Sequence, residues 1–151
     1  MGRKKNMLDY DQSLSIAQDL GWRYEEQCCW HNAVQALRLY QKRLGEAVYV
    51  EGWVSVPEIK FVQEHGWLEL ANGTILDPTY VRSSHDHLEN RWREHLYFPA
   101  VRYTLEGLQG VRAHALPCVW KTGGFGGMQN QAYVIAMHAA WESIGASVFL
   151  A

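Results

Sequence analysis

Cysteine is scarce: three in 151 residues, an odd number, and two of them, Cys28 and Cys29, are adjacent. Neighbouring cysteines pair only under strain. No disulfide framework is therefore expected, and the reading is a reducing, cytoplasmic setting. No window reaches the apolar length of a bilayer span. The opening MGRKKNMLDYDQ has a basic cluster with no apolar run behind it, unlike a signal peptide. Asn6 stands where a myristoylation pattern needs Ser or Thr. Charged residues make up 20% and the net charge is −2, so neither nucleic acid nor membrane is an expected partner. Repeats, low-complexity tracts and linkers are missing, which favours one domain over residues 1–151, with 1–7 as a flexible basic tail. The Gly-rich stretch 121–127 lacks the Gly-Lys-Ser/Thr of a phosphate-binding loop and reads as a flap or a turn. His85, Asp86 and His87 alternate as chelating residues can, but no third or fourth ligand stands at suitable spacing. A zinc site from Cys28, Cys29 and His31 is the weakest reading, since adjacent ligands suit a tetrahedral site poorly. No metal and no cofactor are expected.

What is present in quantity is aromatic: seven Trp and eight Tyr, enough to fill a core and still line a groove. The most informative stretch is 65–80, HGWLELANGTILDPTY. His65, Trp67 and Glu69 alternate with Gly66, Leu68 and Leu70, the period of a half-buried strand. Asn72-Gly73 predicts a type I′ hairpin turn, both central residues having positive φ. Thr74, Ile75 and Leu76 return as the partner strand, which Asp77-Pro78 ends. A His opening one strand thus meets an Asp closing the next, and a carboxylate beside an imidazole is half of a nucleophilic triad.

The other half lies upstream. From Cys28-Cys29-Trp30-His31-Asn32 onward, Trp30, Ala33, Val34, Leu37, Tyr40 and Leu44 fall on one helical face. Cys28 or Cys29 therefore sits in a first helical turn, where the macrodipole and unpaired N–H groups favour a thiolate.

A Cys at a helix start, then a His on a strand, then an Asp on the next strand is the chain order of the transglutaminase-like branch of the papain-like cysteine superfamily. The chain resembles that family in Cys29-Trp30-His31-Asn32-Ala33, Tyr49-Val50-Glu51-Gly52-Trp53, His65-Gly66-Trp67 and Ile75-Leu76-Asp77-Pro78-Thr79, over roughly residues 22–105. It is similar to small bacterial and phage proteins with a Cys-aromatic-x-Asn-Ala helix start and a later His-x-Trp and Asp-Pro-Thr. The resemblance implies an α+β fold, a nucleophile helix on a small antiparallel sheet. It implies Cys29 as nucleophile, because the family's aromatic follows it directly, with His65 as base and Asp77 as its partner. Trp22, Gln27 or backbone N–H groups of that segment are candidate oxyanion donors. Asn32, one turn past Cys29, either buttresses the site or packs on the helix surface. Glu51 either points beside the His or is a surface carboxylate. Trp67 shares the side of His65 and either shields it or is a core Trp.

Elsewhere the pattern predicts a helix over 9–20 capped by Asp9 or Asp11, with Leu14, Ala17 and Leu20 inward, and a Cys helix running to about Arg43 with Gly45 after it. A strand over 47–56 follows, with a bulge or a close backbone approach at Gly52. Then come a loop over 57–64, a helix over about 87–95 capped by Ser84 or Asp86, an edge strand over 97–103 and a short helix capped by Thr104. A strand over 115–120 containing a buried Cys118, a helix over 128–143 and a short apolar segment over 147–150 complete the reading.

Two functions compete. One is a cysteine-dependent hydrolase or acyltransferase acting on an amide-type bond in a peptide, a protein side chain or a small conjugate. The other is a catalytically inactive binding module on the same fold. The loops around 53–64 and 121–128 are the expected grip on a substrate.

Overall fold

The computed structural model describes residues 7–86, 93–108 and 130–146. It is α+β: a curled, four-stranded antiparallel sheet with helices packed on it. In chain order these are α1 (Tyr10–Leu20), α2 (Cys29–Leu39), α3 (Gln41–Leu44), β1 (Val48–Val56), β2 (Phe61–Glu69), β3 (Ile75–Leu76), α4 (Pro78–Asp86), β4 (Leu96–Tyr103) and α5 (Gln131–Ser143). The sheet order is β3-β2-β1-β4. Among the described residues no helix is long and apolar enough to cross a membrane.

Successive residues of the long strands feed different clusters, as a period of two requires. Tyr49 and Leu68 pack with Ala33, Val34 and Leu37 of α2. Their neighbours Val50 and Trp67 join Val54, Ile75 and Tyr97 in a second cluster. Leu96 and Phe98 of β4 pack against Ala136 and Ala140 of α5 in a third. Gly52 marks both a register shift between β1 and β4 and a close approach. A Cβ there would stand 2.2 Å from the Phe98 carbonyl oxygen.

Several expectations are corrected. The residue that caps α1 is Asp9, whose side chain accepts from the Gln12 N–H at 2.9 Å. Ser13 and Ile16 are buried beside Ala17 and Leu20, while Leu14 is only half-buried. Met7 is not a loose tail, because the Ile75 N–H donates to its carbonyl at 2.8 Å and Leu8 bridges Ile75. The Cys helix stops at Leu39 and restarts as α3, because Tyr40 leaves helical geometry at φ −118°. The stretch after Pro57 is not a loop: a single 3₁₀ turn reverses the chain at Lys60, and β2 begins at Phe61. His65 is therefore mid-strand rather than at a strand opening.

The turn between β2 and β3 is not type I′. Gly73 has φ 87°, Asn72 is not among the positive-φ residues, the Gly73 N–H donates to the Leu70 carbonyl and the Leu70 N–H donates to the Thr74 carbonyl. This is a three-residue loop ending in a left-handed glycine. The Asn72 side chain serves it by accepting from the Thr74 N–H at 3.0 Å.

Of the helix expected over about 87–95, residues 87–92 lie outside the described residues. α4 starts at Pro78, directly after Asp77, and residues 93–95 are not helical. Pro at the first helical position has no N–H to leave unsatisfied, and Asp is a preferred cap. β4, α5 and the short helix after Thr104 lie where expected; the Gly107 N–H donates to Thr104 Oγ1. The Gly-rich stretch, Cys118 with its strand, and the segment 147–150 lie outside the described residues.

Candidate active site

Asp77 is the most heavily held residue of the candidate triad. It is fully buried. Its Oδ2 is 2.7 Å from His65 Nε2 and accepts from the Tyr97 hydroxyl at 2.8 Å. Its Oδ1 accepts from the Tyr80 N–H at 3.1 Å, so the same carboxylate caps α4. Its own N–H donates to Ser13 Oγ at 3.0 Å, and Ser13 in turn donates to the Asp9 carbonyl. Burial pushes the Asp77 carboxyl up, but the His65 ring, the Tyr80 N–H and the Tyr97 hydroxyl more than reverse this and hold it below the usual range.

His65 lies between that carboxylate and the thiol of Cys29. Its side chain is only 8% exposed. Burial works against its charged form, yet Asp77 and Cys29 outweigh burial and raise it well above the ordinary imidazole value. With Nε2 committed to Asp77, Nδ1 is the nitrogen left for the thiol. Trp67 is fully buried and stacks on the imidazole with centroids 6.1 Å apart, while Tyr97 packs edge-on to Trp67 at 5.1 Å. Trp67 is thus a core Trp that also walls the ring.

Cys29 reaches His65 because β3 is so short. β3 meets β2 only at Leu68 and Glu69, so among the described residues β2 has no strand partner on that side at His65. The first turn of α2 comes in there. A Cβ on Gly66 would lie 3.3 Å from Trp30 Cα and 2.8 Å from the Tyr49 hydroxyl, so only glycine admits the helix start this closely. Cys29 is the first residue of α2, and the capping position, Cys28, gives no side-chain cap to the helix N–H groups. Cys28 points elsewhere: burial, then Glu25, pushes its thiol up, away from the thiolate.

Asn32 is buried and ties the segment before Cys29 in place. Its amide donates to the Glu25 carbonyl at 2.7 Å and to Thr79 Oγ1 at 2.8 Å, and its Oδ1 accepts from the Glu25 N–H at 2.8 Å. It therefore links the nucleophile segment to α4. His31 is turned away and bonds to the Arg23 carbonyl through Nε2. Gln27 is exposed, lies with Cys29 in the open cleft, and has φ 60°, a left-handed conformation rare for a side-chain-bearing residue. Trp22 is excluded as an oxyanion donor: it is 84% exposed, lies under Arg23 and is not part of the cleft.

Two cavities flank His65. The larger, about 440 Å³, opens over Cys29 and Gln27 and is walled by the β1–β2 hairpin, α4 and His95. Residues 53–64 thus do line the cleft, as strands rather than as a loop. The smaller, about 200 Å³, lies among Trp30, Tyr49, Glu51, Glu64 and Tyr133. Glu51 is buried there and accepts from the Tyr49 hydroxyl at 2.6 Å, so it is no surface carboxylate; the Tyr133 hydroxyl donates to Glu64. Sequence reasoning missed Ser13, Tyr80, His95 and Tyr97. Only α4, and with it Tyr80, had a readable signal, the Asp-Pro start. Among the described residues no group of three His, Cys, Asp or Glu side chains is placed to hold a metal. No family model, no curated protein and no solved structure matches this chain.

Proposed function

We propose that this chain is a cysteine-dependent hydrolase or acyltransferase acting on an amide-type bond, on a transglutaminase-like or papain-like form of the α+β fold. The observation that carries the reading is the His65 ring, bonded to Asp77 at 2.7 Å and raised by Asp77 and the neighbouring Cys29, in a cleft that Cys29 and His65 both line. A ring so held accepts the thiol's proton readily. Cys29 Sγ bonds to the carbonyl carbon, and the carbonyl electron pair moves to oxygen. The N–H of Cys29 and the Gln27 carboxamide are the donors for that oxygen. As the pair returns, the C–N bond breaks and His65 gives its proton to the leaving nitrogen. Water or an amine then attacks the thioester, His65 takes its proton, and Cys29 leaves as the thiolate. Asp77 stays ionised throughout and fixes the ring's orientation.

The non-catalytic reading has one observation of its own: Cys29 is only 3% exposed. The deciding measurement is iodoacetamide alkylation of Cys29 across pH, read by mass spectrometry, in the native chain and in His65→Ala. Under the catalytic reading Cys29 reacts well below the pH at which Cys28 does, and His65→Ala removes that advantage. Slow labelling of both thiols, indifferent to His65, moves the binding module ahead.

A further inference from the structure

The large cleft carries chemistry that the triad does not use. Val54, Val56 and Phe61 form an apolar wall, and Gln63, Thr79 and Ser83 add neutral polar groups. No described residue lining it is Asp, Glu, Lys or Arg. The charge on His65 is already paired with Asp77 at 2.7 Å, so an ionised group entering there gives up water and finds no unpaired opposite charge among the described lining residues, whereas a neutral apolar group loses nothing. One more residue gives the cleft a direction. His95 Nδ1 is 3.1 Å from the Arg93 carbonyl oxygen, and a carbonyl only accepts, so Nδ1 carries the proton. Tyr80, whose ring packs tilted against the imidazole, donates its hydroxyl to the same carbonyl at 3.1 Å, which fixes the pair. Burial holds the His95 ring down to about 4, so at neutral pH its Nε2 is a bare acceptor. Among the described residues nothing donates to that nitrogen, and His95 lines the same cleft as Cys29 and His65.

We infer that the cleft takes the acyl side of an uncharged, peptide-like substrate with an apolar side chain, and that His95 is the specificity-determining residue that accepts its N–H. This rests on the reading of Cys29 as nucleophile only for its orientation; binding itself needs no chemistry. An acyl portion seated between the hairpin and α4 presents its carbonyl to Cys29, and an N–H further along it meets His95.

The test is equilibrium binding to the full chain, by calorimetry or NMR titration, of N-acetyl-leucine amide, its aspartate and lysine counterparts, and the N-methyl leucine analogue that lacks the N–H. The leucine amide is expected to bind best, with the charged and the N-methylated compounds each about tenfold or more weaker. His95→Leu should erase the preference for the N–H while keeping the preference for leucine, and His95→Gln, which retains an acceptor, should restore part of it. Equal binding of all four compounds, or a full N–H preference surviving in folded His95→Leu, overturns the inference. Iodoacetamide labelling of Cys29 in the same samples reports on the Cys–His pair independently. A normal His65-dependent alkylation with no ligand preference sinks the cleft alone, and ligand preference without that alkylation sinks the nucleophile alone.

Discussion

The two sides of the His65 ring are built differently. On the Asp77 side every polar atom is committed: one carboxylate serves the imidazole, the Tyr97 hydroxyl and the α4 cap, and its backbone N–H is held by Ser13. On the Cys29 side the chain arrives through a segment with an exposed, left-handed Gln27 and a helix start that has no side-chain cap. The first side is part of the core and the second is the rim of a cleft. A base must be oriented against thermal motion, and a nucleophile must meet something from outside. Changes on the first side should therefore cost stability and reactivity together, and changes on the second should separate the two.

The largest effect is expected from Asp77→Ala. It strands a buried imidazole, removes the acceptor of the Tyr97 hydroxyl and uncaps α4, for a loss of about 3–5 kcal/mol in urea unfolding and of the His65-dependent alkylation. The same variant gives the pH dependence its sign. Asp77 is lowered in the fold, so its contribution is present above the unfolded carboxylate value of about 3.9 and is lost as pH falls through the folded value. His65 is raised, so its contribution is full below about 6.5 and is lost as pH rises through the folded value. The stability gap between the native chain and Asp77→Ala should be widest between about pH 4 and 6.5 and narrow on either side. A gap that keeps widening above that range would mean that the pair is not ionised in the fold.

Asn32→Ala tests the join between the two sides. It takes the Asn32 partner from the Glu25 N–H and from the buried Thr79 hydroxyl, and leaves the Glu25 carbonyl with the Cys28 N–H alone, for about 1–3 kcal/mol in the same assay. It should also slow Cys29 alkylation, since the segment before the thiol loses its tie to α4. Tyr97→Phe removes one donor of three from Asp77 and should cost about 1.5–3 kcal/mol, with the alkylation rate changed little because Nε2 keeps its carboxylate. A large kinetic effect with no loss of stability would place Tyr97 in the reaction itself.

How much of this was legible in the sequence depends on the range of the interaction. Cys29, His65 and Asp77 stood out because each carries a local signal: a helix start, a period-two strand, a Pro that ends it. The structure brings His65 and Asp77 into contact through the partner strand expected at 74–76, of which Ile75 and Leu76 form the ladder, and sets Cys29 in the same cleft as His65. The Asp77 side was half readable. Asp-Pro is a helix-start signal as well as a strand stop, and taking it only as a stop left α4 unread. Ser13 and Tyr97 were not readable, since a Ser within a helix and a Tyr on a strand have no local reason to meet the backbone N–H and the carboxylate of one Asp, 64 and 20 residues away. Trp22 was misassigned because residue type alone suggested a donor, and exposure is decided by tertiary packing.

Gln27 gives the smallest effect on stability and the cleanest separation. A side-chain-bearing residue at φ 60° costs about 1–2 kcal/mol relative to glycine, against about 0.5–1 kcal/mol of extra backbone entropy that glycine loses on folding. Gln27→Gly should therefore be stabilising by up to about 1 kcal/mol, and Gln27→Ala should not. Alkylation by iodoacetamide is a displacement at a saturated carbon that develops no oxyanion, so both variants should label at the native rate. Acyl transfer from an amide or thioester does develop one, and losing a donor there costs about 10²–10³ in rate. Native alkylation with acyl transfer reduced equally in both variants would assign the carboxamide to the oxyanion. Full acyl transfer in Gln27→Ala would leave that work to the N–H of Cys29, and the left-handed turn at Gln27 would then serve only to aim the first turn of α2 at His65.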